Sequence, residues 1–254
     1  VLLRSVSLDE LTIEDEGSFA HVAAYARLKR VLQRSDHRFH IPAAGSALSW
    51  DRALFLNLTY WGGADSADVL CDERIAADVV AHVAWHHLAS TQLAPGPACA
   101  RALLFGESIA SAFDLYLVGR LLPNVPDSDF ISTQVSIMGE AAEQAGLAAV
   151  GFQALLESVV ADPERAFEDL RVLLFDVSLA LLDCRGAPDA QQVLRGFAEH
   201  RFASLLHHYQ LSNWLLYARA YAAPAPEQER LVGELDAALR AAPVSLDWLL
   251  ERWV

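Results

Sequence analysis

Thiols are scarce in this chain. Its three cysteines, Cys71, Cys99 and Cys184, stand far apart, show no Cys-x-x-Cys spacing and are odd in number. That excludes a disulfide framework and a thiolate zinc site, and it makes a reducing cytoplasm the expected compartment. Positive charge is short as well: 19 Lys plus Arg face 33 Asp plus Glu, for a formal net charge of −14, and Lys29 is the only lysine. Long-range attraction to phosphate backbones or anionic lipid is not expected, so nucleic acid and membrane are set aside as partners. The shortage of lysine beside abundant arginine and alanine is a bias of high-GC bacterial genomes and concerns codons, not chemistry. Long uncharged apolar runs are missing too. The stretch Val172 to Leu182 carries Asp176, and a spanning helix needs about 20 such residues; neither a membrane span nor a signal peptide is expected.

What is present is enough apolar material for a core. Hydrophobic residues make up 54% of the 254 and charged residues 20%, far from the composition that keeps a chain unfolded. The length suits one domain, 1–254, with a small mixed α/β lobe over 1–66 and a helical bundle over 67–254. In the first part, Leu2 to Ile13 and Ala53 to Trp61 read as strands, the latter rich in β-favouring residues before Gly62-Gly63. Phe19 to Leu32 has helical spacing, with Ser18 placed to cap it. From Asp72 onward the pattern predicts helices over 73–93, 98–122, 130–160, 163–184, 189–221, 227–242 and 245–253, divided by prolines and glycines. The fold class expected is mainly α.

Chemistry concentrates in one place. Three of the nine histidines fall within His82-Val-Ala-Trp-His86-His87. Residues four apart on a helix lie one above the other, so His82 and His86 present imidazoles side by side, a spacing suited to two neutral nitrogens on one ion. Asp78 extends the stripe by one turn. The following helix carries Glu107, Ser111 and Asp114 along one face, and a short Pro95-Gly96-Pro97 turn joins the two. Short connections make antiparallel neighbours, which brings Glu107 against the histidines and forms a three-ligand site with an open position.

This segment resembles the gluzincin metallopeptidases, the thermolysin-like class, which bind zinc through His-Glu-x-x-His on one helix and a Glu on the next. The resemblance covers residues 70 to 120. It implies His82, His86 and Glu107 as zinc ligands, with Glu107 lying 21 residues after His86, and Asp114 as a partner that holds a ligand histidine. It also implies a truncated metallopeptidase-like fold. The chain departs from the family where it has Val83 in place of the glutamate that deprotonates the metal-bound water. General acid–base catalysis contributes about 10²–10⁴ in rate, so a site without it is a poor peptidase; Asp78, His87 or a residue from elsewhere are the candidates to replace the base.

Other histidines are weaker signals. His37 and His40 lie in a segment expected to be extended, pointing to opposite faces. His200, Ser204, His207 and His208 follow helical spacing beside Tyr209, and in zinc peptidases such a downstream group stabilises the oxyanion. Trp50-Asp51 and Tyr60 to Gly63 read as structural core.

Two functions follow as expectations. The first is a degenerate zinc-peptidase-like protein that binds a peptide or protein without cleaving it. In peptidases of this type the substrate adds as a strand to a sheet edge, and Leu54, Leu56, Leu58 and Tyr60 would line that edge. The second is a metalloenzyme using His82, His86 and Glu107 for hydrolysis or peptide modification, on zinc or, since two histidines and a carboxylate also describe non-haem iron sites, on iron. Either fits peptide natural-product maturation. Against both stands a helical interaction protein in which these are ordinary polar-face or satisfied core residues.

Overall fold

The computed structural model describes residues 2–43, 48–60, 68–93 and 98–254, except for the side chains of Phe55 and residues 58–60. It is mainly α, with eleven α-helices and a small strand-containing region among the described residues. The chain divides into two compact units, Val1–Leu88 with Val254, and Ala89–Trp253. The seam falls inside helix α3 (Ala77–Gln92), not at the expected 66/67, because the strands after residue 67 pair with earlier ones.

In the first unit, β1 (Leu3–Val6) pairs antiparallel with β3 (Phe39–Pro42), and β3 pairs parallel with β4 (Asp68–Val69). A separate parallel pair joins β2 (Thr12–Glu14) to β5 (Arg74–Ala76), matching Ile13 to Ile75. Helix α1 (Ala23–Arg34) buries Ala24, Tyr25, Leu28 and Leu32, the stripe expected of an amphipathic helix. Val22, not Ser18, is its N-cap, and Ser18 sits in a 3-10 turn where its hydroxyl donates to Asp15 at 2.5 Å.

The segment read as a strand at Ala53 to Trp61 is helix α2 (Trp50–Tyr60) as far as it is described; Trp61 lies outside the described residues. Leucines at every second position mimic strand alternation, yet leucine and alanine are strong helix formers, and burial follows the helical pairing of Ala53 with Leu56 against Leu48 and Val69. One turn on from Ala53, Asn57 donates from Nδ2 to the Val69 carbonyl at 3.0 Å and accepts from the Val69 N–H at 2.7 Å. That side chain therefore takes the hydrogen bonds a further strand would make with β4. Leu54, Leu56, Leu58 and Tyr60 form no peptide-binding strand edge. Trp50, expected in the core, is 72% exposed.

The second unit is built on α4 (Ala100–Leu121), the helix buried along almost its whole length. Its most apolar window has a hydropathy of 1.3, enough by length and composition to cross a membrane, and 89% of that window is buried inside the protein, as in a core helix. α7 (Pro163–Leu182) packs along it. The covering is closest at Gly119, where a Cβ would lie 2.8 Å from the Val159 carbonyl and 2.9 Å from Pro163, the first residue of α7.

Two expected helices are broken. The stretch 130–160 is α5 (Asp129–Gln144) and α6 (Ala149–Ala161). Between them Gly146 adopts φ +85, and the N–H groups of Gly146 and Leu147 donate to the Glu143 and Ala142 carbonyls, the Schellman closure that glycine favours. The stretch 189–221 is α8 (Ala187–Gly196), a run of turns that buries Phe202, Leu205 and Tyr209, and α9 (Leu211–Tyr221). The chain closes with α10 (Pro226–Ala241) and α11 (Ser245–Arg252).

Arg171 of α7 is fully buried and held by Glu168 through two bonds, at 3.0 and 2.8 Å, and by Asp236 of α10 at 2.8 Å. Arg240 extends the network from Asp236 to Asp176. Removing one member of a buried ion pair leaves the others uncompensated, at about 3–5 kcal/mol. Arg171→Met is accordingly expected to lower unfolding free energy by about 3 kcal/mol in urea titrations.

Candidate metal centre

α3 places its histidines by helix geometry alone. His82 and His86, one turn apart and both half-buried, have their Nε2 atoms 3.1 Å apart and ring centroids 4.9 Å apart. Two nitrogens bound to one tetrahedral zinc at about 2.0–2.1 Å lie about 3.3 Å from each other, so this pair is already near the separation an ion requires. Glu107 lies on the first half of α4, 8% exposed in an otherwise apolar stretch. One ligand atom each from His82, His86 and Glu107 lies within 4.8 Å of the others. The group can hold a metal ion, and the sequence-predicted ligands are brought together.

The residues proposed to assist it also interact with other groups. His87, one position on, is turned about 100° around the helix from His86. Its ring meets His37 edge-on at 5.7 Å, and burial, then the His37 charge, hold its pKa below the ordinary histidine range. His37 in turn lies 3.1 Å from the Asp68 carboxylate. Asp78 acts on Tyr25, whose hydroxyl donates to Glu16 at 3.1 Å; burial first, then Glu16 and Asp78, raise that phenol's pKa. Asp114, two turns beyond Glu107, acts on His208 and Tyr209. Val83, directly after His82, is buried, 4% exposed.

The later histidines do not form an α-helical stripe, since residues 197–210 are turns and a short 3-10 helix, Ala203–Leu205. His208 is largely enclosed, and burial depresses its pKa despite the opposing pull of Asp114. Burial lowers His200 in the same way. His40 lies within β3 opposite Ser5 of β1.

One residue near the centre was not singled out from sequence. Tyr217 of α9 is buried, 6% exposed, and its phenol is pushed up by burial, then by Tyr221 and by the Glu107 carboxylate. α9 packs on α4, which sets Tyr217 near the ligand carboxylate. Its signal was the stripe Leu211, Trp214, Tyr217, Ala218, buried at helical spacing.

Compared with protein families, with curated proteins and with solved structures, the chain matches none. Two histidines and a carboxylate occur at many kinds of metal site, so this cluster does not identify a thermolysin-like peptidase.

The buried histidines have a pH consequence. With folded pKa values below the ordinary 6.5, His200 and His208 bind fewer protons folded than unfolded, so stability is full above that value and falls as pH drops through it. In chelator, the urea midpoint is expected to decline on acidification through the histidine range, and His208→Gln to flatten that decline.

Proposed function

We propose that this protein binds one divalent transition-metal ion through His82 Nε2, His86 Nε2 and a Glu107 carboxylate oxygen, and offers the ion's open position to a peptide ligand that it does not cleave efficiently. The observation that carries the reading is the convergence of the three donors within 4.8 Å. Zinc is the first choice of ion, since it accepts two imidazoles and a carboxylate with a fourth position free; iron is the alternative.

The ion's chemistry when bound is that of a Lewis acid toward a carbonyl oxygen. The chain's own contribution is to hold the two imidazoles with Nε2 lone pairs inward, which requires the proton on Nδ1 of each ring. Val83 contributes no proton transfer, which is why binding is favoured over hydrolysis. Because α2 replaces the expected strand edge, the peptide class rests on the open position and on the resemblance over residues 70 to 120. Three free cysteines accord with a reducing cytoplasm, and maturation of a peptide product remains the biological setting proposed.

Tyr217 supports a second reading, a metalloenzyme that hydrolyses or modifies peptides. A phenol near Glu107 can donate a hydrogen bond to an oxygen held at the ion. Under this reading Tyr217→Phe lowers turnover by about 10²-fold and leaves metal content unchanged.

Elemental analysis of purified protein decides the metal claim. About one ion per chain is expected for the natural sequence, and loss of it in both His86→Ala and Glu107→Gln with the fold retained by circular dichroism. A metal-free natural protein, or a full complement in both variants, ends the proposal. Calorimetric titration with an alanine-rich peptide and an assay for its cleavage then separate the readings: heat without cleavage is expected of the binding protein, cleavage of the enzyme.

A further inference from the structure

A second feature of the Ala89–Trp253 unit is independent of the metal centre. A cavity of about 510 Å³ opens between the end of α7, α8 and the start of α9, a size usual for small-molecule sites. None of His82, His86 and Glu107 lines it. Its inner wall is apolar, with Leu181, Leu206 and Leu211 buried, and Ala190 and Leu194 of α8 half-buried above them. Residues four apart on one helix face ordinarily seal against a core. Here no residue of α8 is buried, so its apolar stripe stands over unfilled space.

The mouth has a different chemistry. His207, Gln210, Ser212 and Asn213 line it, and no Asp, Glu, Lys or Arg is among the lining residues, in a chain with a net charge of −14. Gln210 is held at φ 47, a left-handed conformation unfavourable for a residue with a side chain. The Asn213 amide donates to Gln210 Oε1 at 2.7 Å and the Asn213 N–H to the Gln210 carbonyl at 2.8 Å. A strained residue locked into a polar pair at the rim of a cavity is the arrangement found at ligand clamps.

We infer that this cavity binds an uncharged amphipathic small molecule, its aliphatic part against Leu181, Leu194, Leu206 and Leu211 and its hydroxyl or amide end at Gln210 and Asn213. Ionic ligands are disfavoured because the walls carry no carboxylate, ammonium or guanidinium to offset desolvation.

The probe is N-phenyl-1-naphthylamine, a neutral apolar fluorophore. Its emission rises on the natural protein, and 1-octanol displaces it while octanoate and octylamine do not. Leu194→Trp fills the cavity from a helix that contributes no buried residue, so the melting curve holds while probe affinity falls by about tenfold or more. No emission gain on the natural protein, equal affinity in Leu194→Trp, or displacement by octanoate as effective as by 1-octanol overturns the inference.

Discussion

α4 is enclosed along its length, with 17 of its 22 residues buried, and that enclosure constrains everything around it. Apolar side chains on every face leave no side for water, so other helices must cover it, and α7, α6, α9 and α10 do. The covering is close enough that Gly119 has no room for a methyl group. A fully surrounded helix is also a rigid one, and a polar group fixed on it is held in position by packing that it does not itself provide.

Glu107 is such a group. Its surroundings decide what it can do: with His82 and His86 it forms a group that can hold a metal ion, and Tyr217 feels its charge. Asp114 stands on the same face of α4 two turns further, where its charge acts on His208 and Tyr209. α3 sets different groups apart in fewer residues. His82 and His86 converge, Val83 is buried, and His87 turns to His37. Steps of about 100° per residue suffice to send adjacent side chains to unrelated environments.

Much of the fold was readable from pattern. The mainly α character, the amphipathic α1 and the positions of α4, α7, α10 and α11 follow from apolar spacing and from prolines at the breaks. Asp162 with Pro163 marks a helix start directly, and the Asp162 carboxylate accepts from the Arg165 N–H at 2.9 Å. The break at Gly146 was also legible in principle, as a glycine followed by an apolar residue at the close of an apolar run. The interruption between α8 and α9 was not, because Phe202, Leu205 and Tyr209 continue a helical spacing although the chain there turns to bury them. The Arg171 network was equally invisible, since Asp236 lies 65 residues away.

By itself the sequence determined that His82 and His86 share one helix face and that position 83 carries no base, because both are properties of a single turn and of side-chain identity. It likewise determined the acidic, cysteine-poor character of the chain. Only the tertiary structure decided that Glu107 meets those histidines, that Tyr217 feels its charge, and that Trp50 to Tyr60 is a helix whose Asn57 occupies the edge of β4. The physical reason is range. Local geometry follows from neighbours a few residues apart, whereas convergence of donors and the choice between helix and strand for an alternating leucine run depend on what distant segments pack against them.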